Sequence, residues 1–211
     1  ELGMPFFFFL ADGPTLQASA NRALEAGANT EKCLETVRNI RAKFPEKPIG
    51  LLVYLNLVMQ FGIDKFFQTC TEVGVDSVLL PELPVEEVEL VEESAKKYEI
   101  DLIFLVSTNT PEERLPGIIE KSGGFIYAIS KPSITGAQTD IAPETLEMVK
   151  DLKQKTDLPI CVGFGVSSPD HVENLKNAGA DGAIIGSKLF DYREDIEALE
   201  KFCEACKEKT R

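Results

Sequence analysis

Short apolar segments alternate with amphipathic stretches along the sequence, and this alternation limits the folds open to the chain more than any other feature. Six apolar segments follow one another at intervals of roughly 20 to 30 residues. They are Ile49–Val53, Ser77–Leu80, Leu102–Val106, Phe125–Ile129, Pro159–Val162 and Ala183–Ile185. Continuous apolar runs of this length, rich in β-branched residues, predict strands that are buried on both faces of a sheet.

The stretches between these strands have the apolar spacing of surface helices. They cover residues 31–44, 62–73, 85–99, 111–122, 142–156 and 168–178, and a last one covers 192–209. Thr110 and Ser168, each followed by a proline, are typical N-caps of helices. Gly74 and Gly179 are typical of helix ends, because glycine readily takes the left-handed conformation found there.

Strict alternation with short connections leaves two architectures, a doubly wound parallel sheet and a (β/α)8 barrel. If residues 1–3 are the tail of a further strand, restoring that strand and one βα unit before it gives eight strands. The sequence therefore predicts an α/β fold, a TIM barrel that lacks its N-terminal strand-helix-strand portion. Because no linker, low-complexity tract or charge block divides the chain, residues 1–211 are expected to form one incomplete barrel domain.

Charge and composition argue against several classes of function. The 22 Lys and Arg residues face 35 Asp and Glu residues, which gives a formal net charge of −13 at pH 7 and disfavours nucleic acid or an anionic membrane as partner. No apolar run approaches the roughly 18 to 20 residues of a membrane span. The five scattered cysteines favour a reducing compartment, the cytoplasm or a plastid stroma.

Glycine-rich turns follow the last two predicted strands. The first is the segment Gly163–Pro169, and the second contains Gly186 and Ser187. In a barrel, backbone N–H groups and a hydroxyl converge at this place, and glycine lets the backbone approach an anion, so the pair predicts a site for a phosphate monoester. The alternative is that the glycines serve only tight turns between strand and helix.

The segment from Ser130 to Ile141 is long and polar and has no predicted helix of its own. A connection of that length in a compact barrel is often a lid, and Gly136 within it could donate a further amide to the phosphate. A surface loop without function is the alternative.

Two acids near the start of the chain, Glu1 and Asp12, have the arrangement that general acid-base chemistry requires, although composition alone makes them ordinary surface acids. His171 is the only histidine and is expected at the surface, without a metal. Cys203 and Cys206 have no second pair, so they predict a half-buried helix face rather than a zinc site.

Several motifs together resemble one family over the whole chain. They are Glu1–Phe6, Leu10–Gln17, Pro48–Asn56, Gly74–Val78, Thr135–Ala137, Gly163–Pro169 and Gly186–Ser187. In order and spacing they are similar to the tryptophan synthase alpha subunit family, and the Ala-Asp-Gly-Pro-Thr motif at 11–15 is specific to that family among phosphate-binding barrels. The resemblance implies a (β/α)8 barrel that cleaves indole-3-glycerol phosphate to indole and glyceraldehyde 3-phosphate.

The resemblance also implies the roles of individual residues. Glu1 would act as acid and base, and Asp12 would hold the indole N–H. The substrate-binding residues would be Leu52, Tyr127, Thr135, Gly136, Phe164, Gly165, Gly186 and Ser187. No metal and no cofactor are expected in this chain, since pyridoxal phosphate is expected only in the beta subunit that would be its partner in an α2β2 complex.

Two segments depart from the family pattern: Phe6–Phe9 replaces a polar loop that faces the beta subunit, and Lys131–Ser133 stands where the family commonly has Arg-Ser-Gly. The incomplete barrel leads us to expect the chain to be nearly inactive by itself, because Glu1 would lie at a chain end beside an ammonium group. Two other readings remain open, a stand-alone lyase that releases free indole and a silent phosphate-binding barrel. A different phosphate-binding barrel, such as an isomerase of the same pathway, fits least well.

Overall fold

The computed structural model describes residues 1–7, 13–130 and 141–211, and within them strands and helices alternate. The strands are β1 (Leu2–Gly3), β2 (Gly50–Leu52), β3 (Ser77–Leu79), β4 (Asp101–Ser107), β5 (Ile126–Ile129), β6 (Ile160–Gly163) and β7 (Gly182–Ala183). The helices are α1 (Pro14–Glu25), α2 (Thr30–Lys43), α3 (Leu55–Phe61), α4 (Ile63–Val73), α5 (Glu89–Lys97), α6 (Leu115–Lys121), α7 (Pro143–Lys155), α8 (Pro169–Asn177) and α9 (Ile196–Glu208). Within the described ranges, no helix has the length and apolar character to span a membrane.

Two compact units contain these elements: Glu1–Phe104 with Glu120–Gly124, and Leu105–Ile119 with Phe125–Arg211. In the first unit, β1 pairs with β2, β2 with β3 and β3 with β4, all parallel. In the second unit, β5 pairs with β6 and β6 with β7, again parallel. Within each unit the strands therefore follow chain order, as expected when each strand returns through a helix.

The cores of both units lie between the strands and their helices. Phe66 and Phe67 of α4 are fully buried in the first unit, with their rings edge to face at 5.6 Å. Ile126 and Ile160, on neighbouring strands of the second unit, are also fully buried. Burial of strand residues on both faces confirms the reading of the apolar segments as parallel strands.

Every predicted strand is present within two residues of its predicted bounds, and the predicted helices are present as well. Two helices were missed. α1 has no fully buried residue, and α3 is only seven residues long and begins shortly after β2 ends. A helix is recognised in a sequence by the apolar face that it buries, so a helix that is short or has no fully buried residue is easily missed.

The cap at Ser168 is confirmed, because its hydroxyl accepts the N–H of His171 at 3.2 Å. The cap predicted at Thr110 is wrong. Its hydroxyl instead accepts the N–H of Ser107 at 2.9 Å, and a 3₁₀ turn at Glu112–Arg114 begins after Pro111 without a side-chain cap. Thr110 closes a turn at the end of β4, an alternative that hydroxyl side chains offer to the backbone.

The same arrangement of three groups fixes the start of a strand in each unit. In the first unit, Asp76 accepts the N–H of Ile49 at 2.6 Å and pairs with Arg41 of α2 at 2.6 Å. In the second unit, Asp181 accepts the N–H of Ile160 at 2.7 Å and pairs with Lys153 of α7 at 3.0 Å. Each aspartate follows a helix that ends at a glycine of positive φ, so we call each arrangement an aspartate staple.

The staple of the second unit predicts a pH-dependent stability. Burial alone would raise the pKa of Asp181, but the N–H of Ile160 and the ammonium of Lys153 outweigh it and lower the pKa below the usual value. The stabilisation is therefore present above about pH 4 and is lost as the pH falls through the lowered pKa. Asp181→Asn is expected to reduce the free energy of unfolding by about 1 kcal/mol at pH 7, since the exposed ion pair adds little and the hydrogen bond most of it.

Urea unfolding at pH 7 and at pH 3 measures this effect. The difference between the parent and Asp181→Asn should shrink at pH 3, where the carboxylate begins to protonate. Asp157→Asn, which changes an exposed acid on the loop before β6, is the control. An equal difference at both pH values would contradict the assignment.

Candidate active site

The carboxyl ends of β5, β6 and β7 lie side by side at one edge of the second unit. Ile129 of β5 is in register with Gly163 of β6, and the N–H of Ser130 donates to the Gly163 carbonyl at 2.8 Å. The N–H of Ile184, just after β7, donates to the Val162 carbonyl at 2.7 Å. The two glycine-rich turns of the sequence therefore emerge at the same edge, where parallel-strand proteins bind their ligands.

Tyr127 of β5 packs directly against the first glycine of the turn after β6. A Cβ atom built on Gly163 would lie 2.3 Å from the Tyr127 hydroxyl oxygen, so no larger residue fits at this position. The Tyr127 ring is 4% exposed and meets the ring of Phe164 at 6.0 Å between centroids, with an interplanar angle of 62°. Tyr127 and Phe164 thus form an aromatic wall at the end of β5 and β6.

The turn after β6 contains two successive residues of positive φ. Phe164 has φ +63° and Gly165 has φ +79°. Glycine adopts this conformation freely, whereas phenylalanine in it is strained by about 1 to 2 kcal/mol. Such strain concentrates at functional sites.

A 3₁₀ turn, Ser187–Tyr192, begins directly after Gly186 at the end of β7. The first N–H groups of a helical turn have no partner within it, so they are available to an anion. Apart from its chain neighbours, a Cβ atom on Gly186 or on Gly165 would meet no atom of the described residues within 4 Å. Crowding by the described residues therefore does not require glycine at either position, and at Gly165 the positive φ favours it.

His171 is buried, and its predicted surface position is wrong. The residue is 4% exposed in the first turn of α8, and its Nδ1 accepts the N–H of Ser167 at 3.2 Å. Sequence reasoning treated a histidine on a polar helix as solvated. His171 lies one helical turn before Leu175, which is 1% exposed, so the two side chains share a buried face of α8.

In the first unit, Glu1 and Leu52 lie on the same face of the sheet. Glu1 directly precedes β1 and is exposed, and Gly3 is in register with Leu52 of β2. Because side chains alternate along a strand, Glu1, Gly3 and Leu52 share one face, whereas the buried Leu51 and Val53 belong to the other. The structure thus brings the proposed acid-base residue and a proposed wall residue to one face.

Sequence reasoning missed Glu82, which lies just after β3. Its Oε1 accepts the N–H of Leu55, the first residue of α3, and its Oε2 is buried without a partner among the described residues. An acid placed directly after a buried strand, between two prolines at 81 and 84, was the available signal. Glu82 fixes the turn that follows Leu52, and so it supports this part of the site.

Tyr54 and Phe6 form an aromatic contact in the first unit. Tyr54 is 2% exposed just before α3, and its ring centroid lies 5.0 Å from that of Phe6. Phe7, the next residue of the aromatic run, is 69% exposed. Of the two described residues of the run, Phe7 is therefore exposed and Phe6 is packed.

Three proposed site residues, Asp12, Thr135 and Gly136, lie outside the described residues, as do Phe8, Phe9 and the segment 131–133. Their roles remain predictions from the sequence.

Two of the thiols, those of Cys70 and Cys161, are poor nucleophiles at neutral pH. Burial raises the pKa of Cys70 to about 12, and burial together with Asp181 raises that of Cys161 to about 11, so both are protonated at neutral pH. Cys203 is exposed and Cys206 is buried on α9, which confirms a half-buried helix face. Among the described residues, no three His, Cys, Asp or Glu side chains are grouped closely enough to hold a metal ion.

Parallel strands in chain order with helical returns, and glycine-rich turns at the carboxyl ends of the last strands, define the class of (β/α) barrels with an anion-binding edge. Within this class, the model of the family described as tryptophan synthase alpha chain matches residues 1–211. The chain belongs to the tryptophan synthase alpha chain family, which is a family of lyases.

Relatives and solved structures agree with this assignment. The tryptophan synthase alpha chain of Methanothermobacter thermautotrophicus is 45% identical over 191 residues, which cover 90% of this chain and 70% of the relative. The one from Methanocaldococcus jannaschii is 42% identical over 209 residues, covering 96% and 74%. A chain in the structure of the tryptophan synthase α2β2 complex from Pyrococcus furiosus is 34% identical with a TM-score of 0.90, covering 97% of this chain and 84% of that one. These likenesses confirm the barrel fold.

Proposed function

We propose that this chain is a lyase that cleaves indole-3-glycerol phosphate to indole and glyceraldehyde 3-phosphate, as the alpha subunit of a tryptophan synthase. Membership of the family supports the reaction. The observation that carries the proposal is the open space at Gly165 and Gly186, at the adjacent carboxyl ends of β6 and β7. The absence of a side chain at these two positions leaves room for the phosphate of the substrate to approach the backbone.

The phosphate is bound, in this proposal, by the N–H groups of Gly165, Gly186 and Ser187, by the Ser187 hydroxyl and by the N–H of Gly136. Backbone N–H groups suit a phosphate because they carry no charge to be neutralised and their positions are fixed by the strands. The second unit thus supplies a fixed cradle for the part of the substrate that does not react.

The chemistry at the indole ring is assigned to two carboxyl groups. Cleavage of the bond between the ring and the side chain requires a proton on ring carbon 3 and removal of the proton from the adjacent side-chain hydroxyl. Glu1 can take the hydroxyl proton and deliver a proton to carbon 3, so that the side chain leaves as the aldehyde. Positive charge develops on the ring nitrogen, and the fixed anion at Asp12 stabilises that transition state.

The remaining residues position the substrate. Leu52, Tyr127 and Phe164 are proposed as apolar walls for the indole ring, consistent with the half-buried state of Leu52 and the aromatic pair that the other two form. Thr135 is proposed to orient Asp12 through its hydroxyl. Aromatic and aliphatic walls of this kind are what a flat apolar ring requires.

The partner is proposed to be a beta subunit, in an α2β2 complex. The exposed Phe7 is a candidate for the surface that meets it. The cleavage itself requires no cofactor in this chain, and pyridoxal phosphate belongs to the beta partner in this proposal. The free cysteines are compatible with the cytoplasm or a plastid stroma.

Release of indole from indole-3-glycerol phosphate tests the proposal, without added pyridoxal phosphate. The chain is assayed as it stands and with the strand-helix-strand segment of a relative fused before Glu1, each with and without a beta subunit. We expect indole release by the fused form, raised further by the beta subunit. Activity that a beta subunit leaves unchanged would favour a stand-alone lyase, and phosphate binding without indole release would favour a silent barrel.

Gly186→Ala is expected to weaken glycerol 3-phosphate binding by at least about ten-fold, because the added methyl group occupies the space through which the phosphate approaches. Stability should change by less than about 0.5 kcal/mol, since no protein atom lies near that methyl group. Calorimetric titration and thermal unfolding measure the two effects. Gly117→Ala, where the added methyl group also meets nothing, is the matched control and should bind as the parent does. Unchanged binding by Gly186→Ala would contradict the cradle.

A further inference from the structure

His171 makes hydrogen bonds to two successive residues, Ser167 and Ser168, at the start of α8. The His171 N–H donates to the Ser168 hydroxyl at 3.2 Å, and the His171 ring nitrogen Nδ1 accepts the N–H of Ser167 at 3.2 Å. This is the logic of a capping box, in which a residue of the first helical turn reaches back to the backbone that precedes the helix. Here the His171 side chain bonds to Ser167, which lies in the turn after β6.

The His171 ring makes no other hydrogen bond to the described residues. Because Nδ1 accepts a hydrogen bond, the neutral ring carries its proton on Nε2. Nε2 is buried and has no hydrogen-bond partner among the described residues, and the ring as a whole is 4% exposed. A buried donor without a partner costs free energy, and a leucine in its place would avoid that cost. A leucine could not accept the hydrogen bond from the Ser167 N–H, and this bond is what His171 contributes.

That bond holds one end of the strained turn. At the other end, the Gly163 carbonyl accepts the N–H of Ser130 at 2.8 Å. Between the two ties lie Phe164 and Gly165, both with positive φ. A turn of this conformation would relax if either end were released. The N–H of Gly165 would then no longer be held in one orientation.

We propose that His171 is a positioning residue of the phosphate site, which fixes the turn after β6 by accepting the Ser167 N–H. The inference rests on the proposed role of Gly165 in binding phosphate. By holding the turn before the ligand arrives, His171 removes the ordering cost that binding would otherwise carry. His171 does not touch the phosphate in this proposal, and its effect passes through the backbone.

Two replacements of His171 separate positioning from packing. His171→Leu fills the volume and removes the acceptor, whereas His171→Asn keeps an acceptor atom on Cγ, where Nδ1 is now. We expect His171→Leu to weaken glycerol 3-phosphate binding by about ten-fold and His171→Asn to stay within about three-fold of the parent. Hydrogen exchange at the Ser167 N–H should become faster in His171→Leu and not in His171→Asn.

A packing control uses the neighbouring residue. Val172→Ala removes buried apolar volume from the same helix and leaves Ser167 untouched, so it should lower stability without changing affinity for glycerol 3-phosphate. If Val172→Ala weakens binding as much as His171→Leu does, the role of His171 is structural and the proposal is overturned. If His171→Leu yields no folded protein, His171→Met provides the same loss of acceptor with a more adaptable side chain.

The readouts also separate this proposal from the proposed function. Parent-like binding and exchange in His171→Leu overturn the positioning role while the phosphate site stands. If the parent does not bind glycerol 3-phosphate at all, the phosphate site fails. Hydrogen exchange at the Ser167 N–H then tests whether His171 holds the turn. Equal exchange rates in His171→Leu and His171→Asn would overturn that role.

Discussion

Asp12→Asn is expected to lower the rate of indole release by at least about a hundred-fold, or roughly 2.7 kcal/mol of transition-state stabilisation. Asparagine has the shape of aspartate but no charge. When ring carbon 3 is protonated, positive charge appears on the indole nitrogen, and only the carboxylate opposes it with a full negative charge. The loss should therefore fall on kcat more than on binding of the phosphate.

The measurement is the steady-state rate of indole release by the fused form described above, with glycerol 3-phosphate titrated in parallel. Asp157→Asn makes the same chemical change at an exposed acid and should leave the rate unchanged. A rate for Asp12→Asn within about three-fold of the parent would remove Asp12 from the mechanism. Equal losses of rate and of phosphate affinity would instead mean that the variant has lost its fold.

Gly163→Ala is expected to have the largest effect on stability, about 3 kcal/mol, which corresponds to a fall in the unfolding temperature of roughly 10 °C. The new methyl group would lie 2.3 Å from the Tyr127 hydroxyl oxygen and 2.6 Å from two ring carbons. The ring is buried and lies against Phe164, so it has little room to move. Gly163 has no positive φ, and the close approach alone requires glycine.

A double-mutant cycle with Tyr127→Leu tests this cause. The smaller side chain should relieve the overlap, so the double variant should lose less stability than the two single variants together. Gly186→Ala changes a glycine after the neighbouring strand, where the methyl group meets no atom, and serves as the control. Additive losses in the cycle would show that something other than the contact with Tyr127 accounts for the effect.

Periodicity and turn chemistry were sufficient to predict the strands, the helices that bury an apolar face and the caps at Ser168, Gly74 and Gly179. These features are local, since the apolar periodicity and the cap residues that predict them lie within a few positions of the sequence. The positions of Gly163–Gly165 and Gly186 at the carboxyl ends of adjacent strands followed from the parallel topology in the same way.

Features that depend on contacts between distant residues could not be predicted. The burial of His171 and the bond of Glu82 to Leu55 depend on how helices and loops pack, and a single sequence does not reveal which polar side chain lies under another element. The roles of Glu1 and Asp12 came from the resemblance to a family, because two acids among 35 have no distinguishing local pattern. Neither α1, which has no fully buried residue, nor α3, which has only seven residues, was predicted.

The two aspartate staples have a consequence for the order of folding. The one at Asp76 joins residues 35 and 27 positions apart, and the one at Asp181 joins residues 28 and 21 positions apart. Contacts this close in the chain form early, because little loop entropy opposes them. Each staple can close as soon as its own helix-strand-helix segment has left the ribosome. A growing chain therefore has two separate starting points for assembly, each complete before the last helix is made.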